Sequence, residues 1–124
     1  MALVRRKMLD PSKVRSMTVH ANADSGAFML CLNEQVATQL ELPVLGKQSA
    51  QMADGGVREL EVVGPVEVRF ENRYTHCNAL VLPGDNPVLL GAIPMEDMDV
   101  LIHPREQRLV VNPEHPLMAS KPVR

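Results

Sequence analysis

Asp24-Ser25-Gly26-Ala27 sets a carboxylate, a hydroxyl and a glycine at the junction of two apolar stretches. Upstream, Val19, Ala21 and Ala23 alternate with polar neighbours; downstream, Phe28-Met29-Leu30-Cys31-Leu32 is apolar throughout. A carboxylate between two segments that both belong inside a protein is costly unless it is paired or hydrogen-bonded. Two readings account for it. In the first, Asp24 holds and activates a water, Ser25 braces the loop, and Gly26 lets backbone amides approach the carboxylate. In the second, Asp, Ser and Gly simply form the turn between two strands. Three residues do not choose between them.

Other chemistries find less support. His20, His76, His103 and His115 show no His-x-x-x-His spacing, and the closest approach to a metal pair is His76 beside Cys77. Neighbours on a strand point to opposite faces, so no metal site is expected. Neither a Gly-x-Ser-x-Gly elbow nor a phosphate-cradling glycine loop occurs, which leaves serine hydrolysis and nucleotide binding with little support. Cys31 and Cys77 stand far apart in apolar stretches and read as reduced core residues, although spacing alone leaves a disulfide open. Most of the scattered methionines (Met8, Met17, Met29, Met52, Met95, Met98) read as core filler.

Size and charge narrow the class further. The chain has 124 residues, 45% of them apolar, and a formal charge of −2 with acids and bases interspersed. That length fits one domain. Only Phe28, Phe70 and Tyr74 are aromatic, so the core must be aliphatic. The cluster Arg5-Arg6-Lys7 is too short to signal a nucleic-acid partner. No apolar run approaches the roughly 18 to 20 residues of a membrane span. The first residues lack the longer apolar segment of a secretory signal, so a cytoplasmic location is the expectation.

The elements that must position the Asp24 loop follow from pattern. Residues 1–12 read as irregular, with a turn at Asp10-Pro11-Ser12. Residues 13–23 read as a strand and 28–32 as a second one. Asn33 caps a short helix through Val36, Ala37 and Leu40 that stops before Pro43. Residues 47–53 and 57–63 flank the turn Asp54-Gly55-Gly56 as a hairpin. After Gly64-Pro65, residues 66–70 alternate strictly, Glu71-Asn72-Arg73 turns, and residues 74–82 return. Val88-Leu89-Leu90-Gly91 reads as a buried strand, residues 92–99 as a helix with Pro94 in its first turn, and 100–102 with 108–111 as a last strand pair. The residues from Asn112 on read as an extended tail. Many short strands and two short helices give an all-β, barrel-like domain.

In this order the features resemble the retropepsin-like aspartic proteases, the single-lobe relatives of the retroviral enzymes, and within them small prokaryotic members. The likeness is carried by Asp24-Ser25-Gly26-Ala27, by residues 63–70, by Ala79-Leu80-Val81-Leu82, and by residues 89–99 with Leu89-Leu90-Gly91 at their head. It covers roughly residues 13–113, leaving 1–12 as an irregular N-terminal segment and 114–124 as a Pro-containing tail. The resemblance implies a closed barrel with a β-hairpin flap, and an active site shared by two chains. Asp24 would be the catalytic carboxylate and Ser25 its bracing hydroxyl. Gly26 and Ala27 would line the floor, Leu89, Leu90 and Gly91 would support the loop, and Ala53, Asp54, Gly55 and Gly56 would form the flap tip. Ser25 stands where many members have Thr, and Asn22 lies in a run that is often bulkier.

Aspartic proteolysis needs two carboxylates sharing a proton, one taking a proton from the attacking water and the other donating to the scissile carbonyl. One Asp-Ser-Gly loop is half of that. A two-fold homodimer completes it. A peptide or protein substrate would lie extended across the cleft, with no metal or organic cofactor. Phe28, Ile93 and Met95 could wall side-chain pockets, although large apolar residues in a small domain belong first to its core. The competing expectation is a retropepsin-fold dimer that binds extended peptides with little or no cleavage.

Overall fold

The structure, a computed structural model, describes residues 2–6, 15–52 and 54–119. The turn expected at Asp10-Pro11-Ser12 and the flap residue Ala53 lie outside the described residues. The elements run β1 (Ala2–Arg6), β2 (Arg15–Val19), β3 (Ala21–Ala23), β4 (Leu30–Asn33), α1 (Glu34–Gln39), β5 (Val44–Gln51), β6 (Val57–Phe70), β7 (Arg73–Leu82), β8 (Val88–Leu90), α2 (Ala92–Met98), β9 (Val100–Ile102) and β10 (Leu109–Val111). The protein is mostly β, as the sequence pattern implies.

The main sheet is ordered β2-β1-β6-β7-β4-β8-β3, with β5 added to β6, and β9 and β10 pair separately. Its first and last strands, β2 and β3, are separated in the chain only by His20. One stretch, 15–23, therefore serves both ends of the sheet. This curls the sheet around an apolar interior, although no ladder joins β2 to β3. Leu30, Leu32, Leu40, Leu90, Val66, Val68 and Met98 fill that interior, each at most 1% exposed.

Strict alternation in β6 sends Val66 and Val68 inward. Glu67 is nevertheless buried on the opposite face. Arg69 Nε lies 2.7 Å from its Oε2, and His76 Nε2 stands 3.1 Å from Oε1. A buried charge needs such partners. His76 thus faces a carboxylate across the β6–β7 ladder, where it is Glu67's register partner.

Helix α1 begins as its cap predicts. Asn33 Oδ1 accepts from Val36 N at 2.9 Å, while its amide reaches Asn86 O; such a cap contributes about 1 kcal/mol. Helix α2 starts at Gly91 and buries Pro94, Met95 and Met98. Thr75 Oγ1 donates to Asp97 Oδ2, tying α2 to β7.

Four expectations need correction. Residues 2–6 are not irregular: β1 pairs with both β2 and β6, and a partner more than sixty residues away leaves no local signal. Gly64-Pro65 does not end a strand. Gly64 takes φ 147° and β6 continues through a register shift between Val63 and Val66. Phe28 and Met29 precede β4 rather than start it. Residues 112–118 are not an extended tail, because side chains pin them back onto the body. Arg73 donates to His115 O, Asn72 Nδ2 reaches Pro116 O at 3.0 Å, and His115 Nδ1 lies 2.7 Å from Asp99 Oδ2.

Cys31 and Cys77 are free thiols. Burial pushes the Cys77 thiol from an ordinary 9.0 up to about 11, with the Asp97 charge adding to it. Burial also raises Cys31, reinforced by the charge of Asp24. A group whose pKa is raised on folding contributes stability below its unfolded value, and that contribution disappears as pH rises through the folded value. Unfolding free energy should therefore fall between about pH 9 and pH 11 in urea titrations. Both thiols should resist iodoacetamide at pH 8 until the chain unfolds; rapid alkylation of the native protein would contradict their assigned environments.

Candidate active site

The Asp24 loop is built between β3 and β4, and β8 runs between the same two strands. β3 pairs with β8 in parallel, Ala23 opposite Leu90, while β4 meets β8 antiparallel at Cys31 and Leu89. The loop is thereby held at both feet by one strand.

Its interior is fixed by backbone bonds. Asp24 N donates to Leu90 O at 3.0 Å, Ala27 N to Asp24 O at 3.1 Å, Ala92 N to Ala27 O at 2.7 Å, and Ile93 N to Phe28 O at 2.9 Å. Gly91 passes directly behind. A Cβ there would lie 2.4 Å from Met29 O, 2.7 Å from Phe28 C and 2.8 Å from Ala27 O. Only a residue without a side chain permits that approach. Leu90 and Gly91 thus stand directly behind the loop, and Leu89 pairs with Cys31 at its exit.

The Asp24 carboxylate is half-buried and accepts from Gly26 N at 2.8 Å through Oδ1. A Cβ on Gly26 would crowd that oxygen at 3.1 Å, so glycine here admits the amide. Locally this is an Asx turn, and the plain turn reading is right as far as it goes. Asp54-Gly55-Gly56 makes the same one, with Gly56 N 2.8 Å from Asp54 Oδ1 and Gly55 at φ 86°. What separates the two is their surroundings. Asp54 tops an exposed hairpin, whereas Asp24 is clamped from behind.

Asp54, Gly55 and Gly56 sit where the flap expectation puts them, at the tip of the β5–β6 hairpin, closed by Met52 N to Gly56 O at 2.7 Å. The hairpin's other face folds down toward the loop. Met52 and Ala50 join Met29, Cys31, Leu60, Leu80 and Leu89 in a second apolar cluster, separate from the main core. Gln48 reaches Met29 as well. The sequence does contain a signal for this cluster, the unbroken apolar run 28–32. Such a run means burial on both faces: Leu30 and Leu32 enter the main core, Cys31 the second cluster. Reading the methionines as filler hid it.

Ser25 is exposed, and among the described residues its hydroxyl has no hydrogen-bond partner. Phe28 is 74% and Ile93 56% exposed beside the loop, which corrects the core assignment; Met95 alone of the three is buried. A backbone bond from Ile93 N to Phe28 O joins the two where the loop exit meets α2. Asn22 is exposed.

Among the described residues no His, Cys, Asp and Glu cluster suits a metal ion, and no helix is long and apolar enough to cross a membrane. The geometry offers a half-buried carboxylate, a loop held from behind by β8 and Gly91, and an apolar cluster that joins the hairpin to the loop exit.

A family model described as aspartyl protease matches residues 11–109. No curated protein matches the chain. Among solved structures, the chain is similar to the retroviral protease-like domain of Ddi1 from Leishmania major. Identity is 17%, the TM-score is 0.54, and the match covers 77% of this chain and 79% of that one. At that identity the likeness speaks for the fold.

Proposed function

This chain belongs to the aspartyl protease family, and we propose that it is an endopeptidase whose active site forms between two copies, each supplying Asp24. The observation that carries the reading is a half-buried Asp24 whose loop is held by its backbone bond to Leu90 and by Gly91 packed against residues 27–29. A lone turn aspartate needs no such backing.

Two carboxylates brought together across a two-fold axis hold one proton between them, because like charges in contact cannot both persist. The ionised one takes a proton from water, whose oxygen then attacks the carbonyl carbon of the scissile bond. The protonated one donates to the carbonyl oxygen as it gains charge. Proton transfer to the departing nitrogen then completes cleavage. Gly26 and Ala27 form the floor beside the attack, and the exposed Ser25 hydroxyl is free to brace the loop of the second chain. The substrate lies extended beneath the hairpin, pairing its backbone with flap and floor.

One chain is half a site. Specific activity should fall on dilution in step with the dimer fraction measured by analytical ultracentrifugation. Adding excess Asp24→Asn protein to the wild type should poison it, since mixed dimers carry one carboxylate. Activity unchanged by dilution, from a species sedimenting as a monomer, would overturn the shared site. A stable dimer that binds peptides without cutting them would favour the binding-only alternative.

A further inference from the structure

Away from the Asp24 loop, a cavity of about 630 Å³ opens between α1 and the arm of the β5–β6 hairpin. Its lining contains no residue of the segments 23–29 and 88–93 that make the candidate active site. The volume is in the range of pockets that hold small ligands or peptide side chains, about 300 to 1,000 Å³. Leu42, Val63 and Val81, all buried, supply an apolar floor. Around them stand Glu34, Glu41, Glu59 and Glu61 against one cation, Arg58. The lining thus carries −3, while the whole chain carries only −2. Lys47 faces Glu61 across the hairpin register but does not line the cavity.

We propose that this cavity is a docking site for an extended cationic segment of a partner protein, with Lys or Arg side chains meeting the glutamates and aliphatic ones covering the floor. Charge complementarity selects the occupant. An acidic or neutral peptide would leave several carboxylates facing apolar surface or like charge, which disfavours it. The walls give the site a second property. One wall is α1, tied to the body through Asn33 Nδ2, which donates to Asn86 O at 3.0 Å, and through Glu34 Oε1, which accepts from Gly84 N at 3.1 Å. The other is the hairpin arm, which also contributes Leu60 and Val62 to the second apolar cluster. A bound segment therefore bridges body and arm. The binding claim does not depend on peptidase activity.

The test is fluorescence anisotropy of a fluorescein-labelled hexapeptide, Lys-Leu-Lys-Leu-Lys-Leu, with the full chain carrying Asp24→Asn so that nothing is cleaved. A Glu-Leu counterpart serves as the charge control. Saturable binding of the basic peptide is expected, weakening as salt rises from 50 to 200 mM (roughly the range over which the Debye length falls through 10 Å). Binding of the acidic peptide is not expected. Glu59→Lys with Glu61→Lys should weaken binding at least about tenfold, and Glu59→Gln with Glu61→Gln, which leaves the hairpin's shape alone, about threefold. Glu96→Lys with Glu114→Lys, the same change in net charge elsewhere, should have no effect. The proposal fails if the basic peptide does not bind, if both peptides bind alike, or if the control weakens binding as much as the cavity variants. None of these results bears on whether the wild-type protein cleaves peptides.

Discussion

Replacing Asp24 by Asn should lower peptide hydrolysis by at least about 10³-fold, the loss expected when a general base or acid is removed, while leaving the protein folded. The fold survives because the amide oxygen of Asn can still accept from Gly26 N, the one described hydrogen bond of the carboxylate. Asp24 N keeps its bond to Leu90 O, which does not involve the side chain. What disappears is the capacity to take a proton from water. The measurement is turnover of a mixed peptide library by wild type and Asp24→Asn, with far-UV circular dichroism and sedimentation of both. The matched substitution Asp54→Asn tests the duplicate turn and should leave turnover within about threefold, since the group lies outside the clamped loop. Equal loss in both variants, or none in Asp24→Asn, would remove Asp24 from the chemistry.

Gly91→Ala should destabilise the protein by about 3 kcal/mol, the upper end of the cost of overpacking. The three atoms a methyl would meet are all backbone, at 2.4 to 2.8 Å, and belong to the Asp24 loop and its exit. No side-chain rotation relieves that. Either the loop moves away from β8, breaking the bonds from Ala92 and Ile93, or α2 starts elsewhere. Urea unfolding reads the stability. Hydrolysis at a temperature where the variant is still folded reads the loop, and should be down at least about tenfold, a displacement of about 1 Å being enough to disturb catalytic geometry. A substitution at Gly46, where nothing lies within 4 Å of the added atom, is the contrasting case and should be nearly neutral to stability. Wild-type behaviour of Gly91→Ala would mean the loop is not supported as described.

The legible parts of this protein were those written in local periodicity. Val66 to Phe70 alternates and is a strand; Asn33 caps a helix; Leu89-Leu90-Gly91 is a buried strand closed by a glycine that cannot be anything else. Pairings between distant segments were not legible. β1 joins β6 across more than sixty residues, and nothing in Ala2 to Arg6 announces it. Gly64-Pro65 carries the composition of a strand end, yet long-range pairing on both sides carries β6 through. At the site, the Asp-Ser-Gly turn was visible but its geometry is shared with Asp54, so local chemistry alone could not rank them. The outward display of Phe28 and Ile93 was hidden for a different reason. They stand where the loop exit meets the first turn of α2, joined by a backbone bond between distant segments, whereas hydrophobicity by itself points inward.

The single Asp-Ser-Gly loop also has a genetic side. In a cleft made from two copies of it, one codon writes both walls, so a change at Ala27, Phe28 or Leu89 arrives simultaneously upstream and downstream of the bond being cut. Such an enzyme cannot evolve a preference for one flank of its target without imposing the same preference on the other. Peptides run in one direction and a two-fold cleft does not, so the cutting site would be chosen by sequences that tolerate being read either way round.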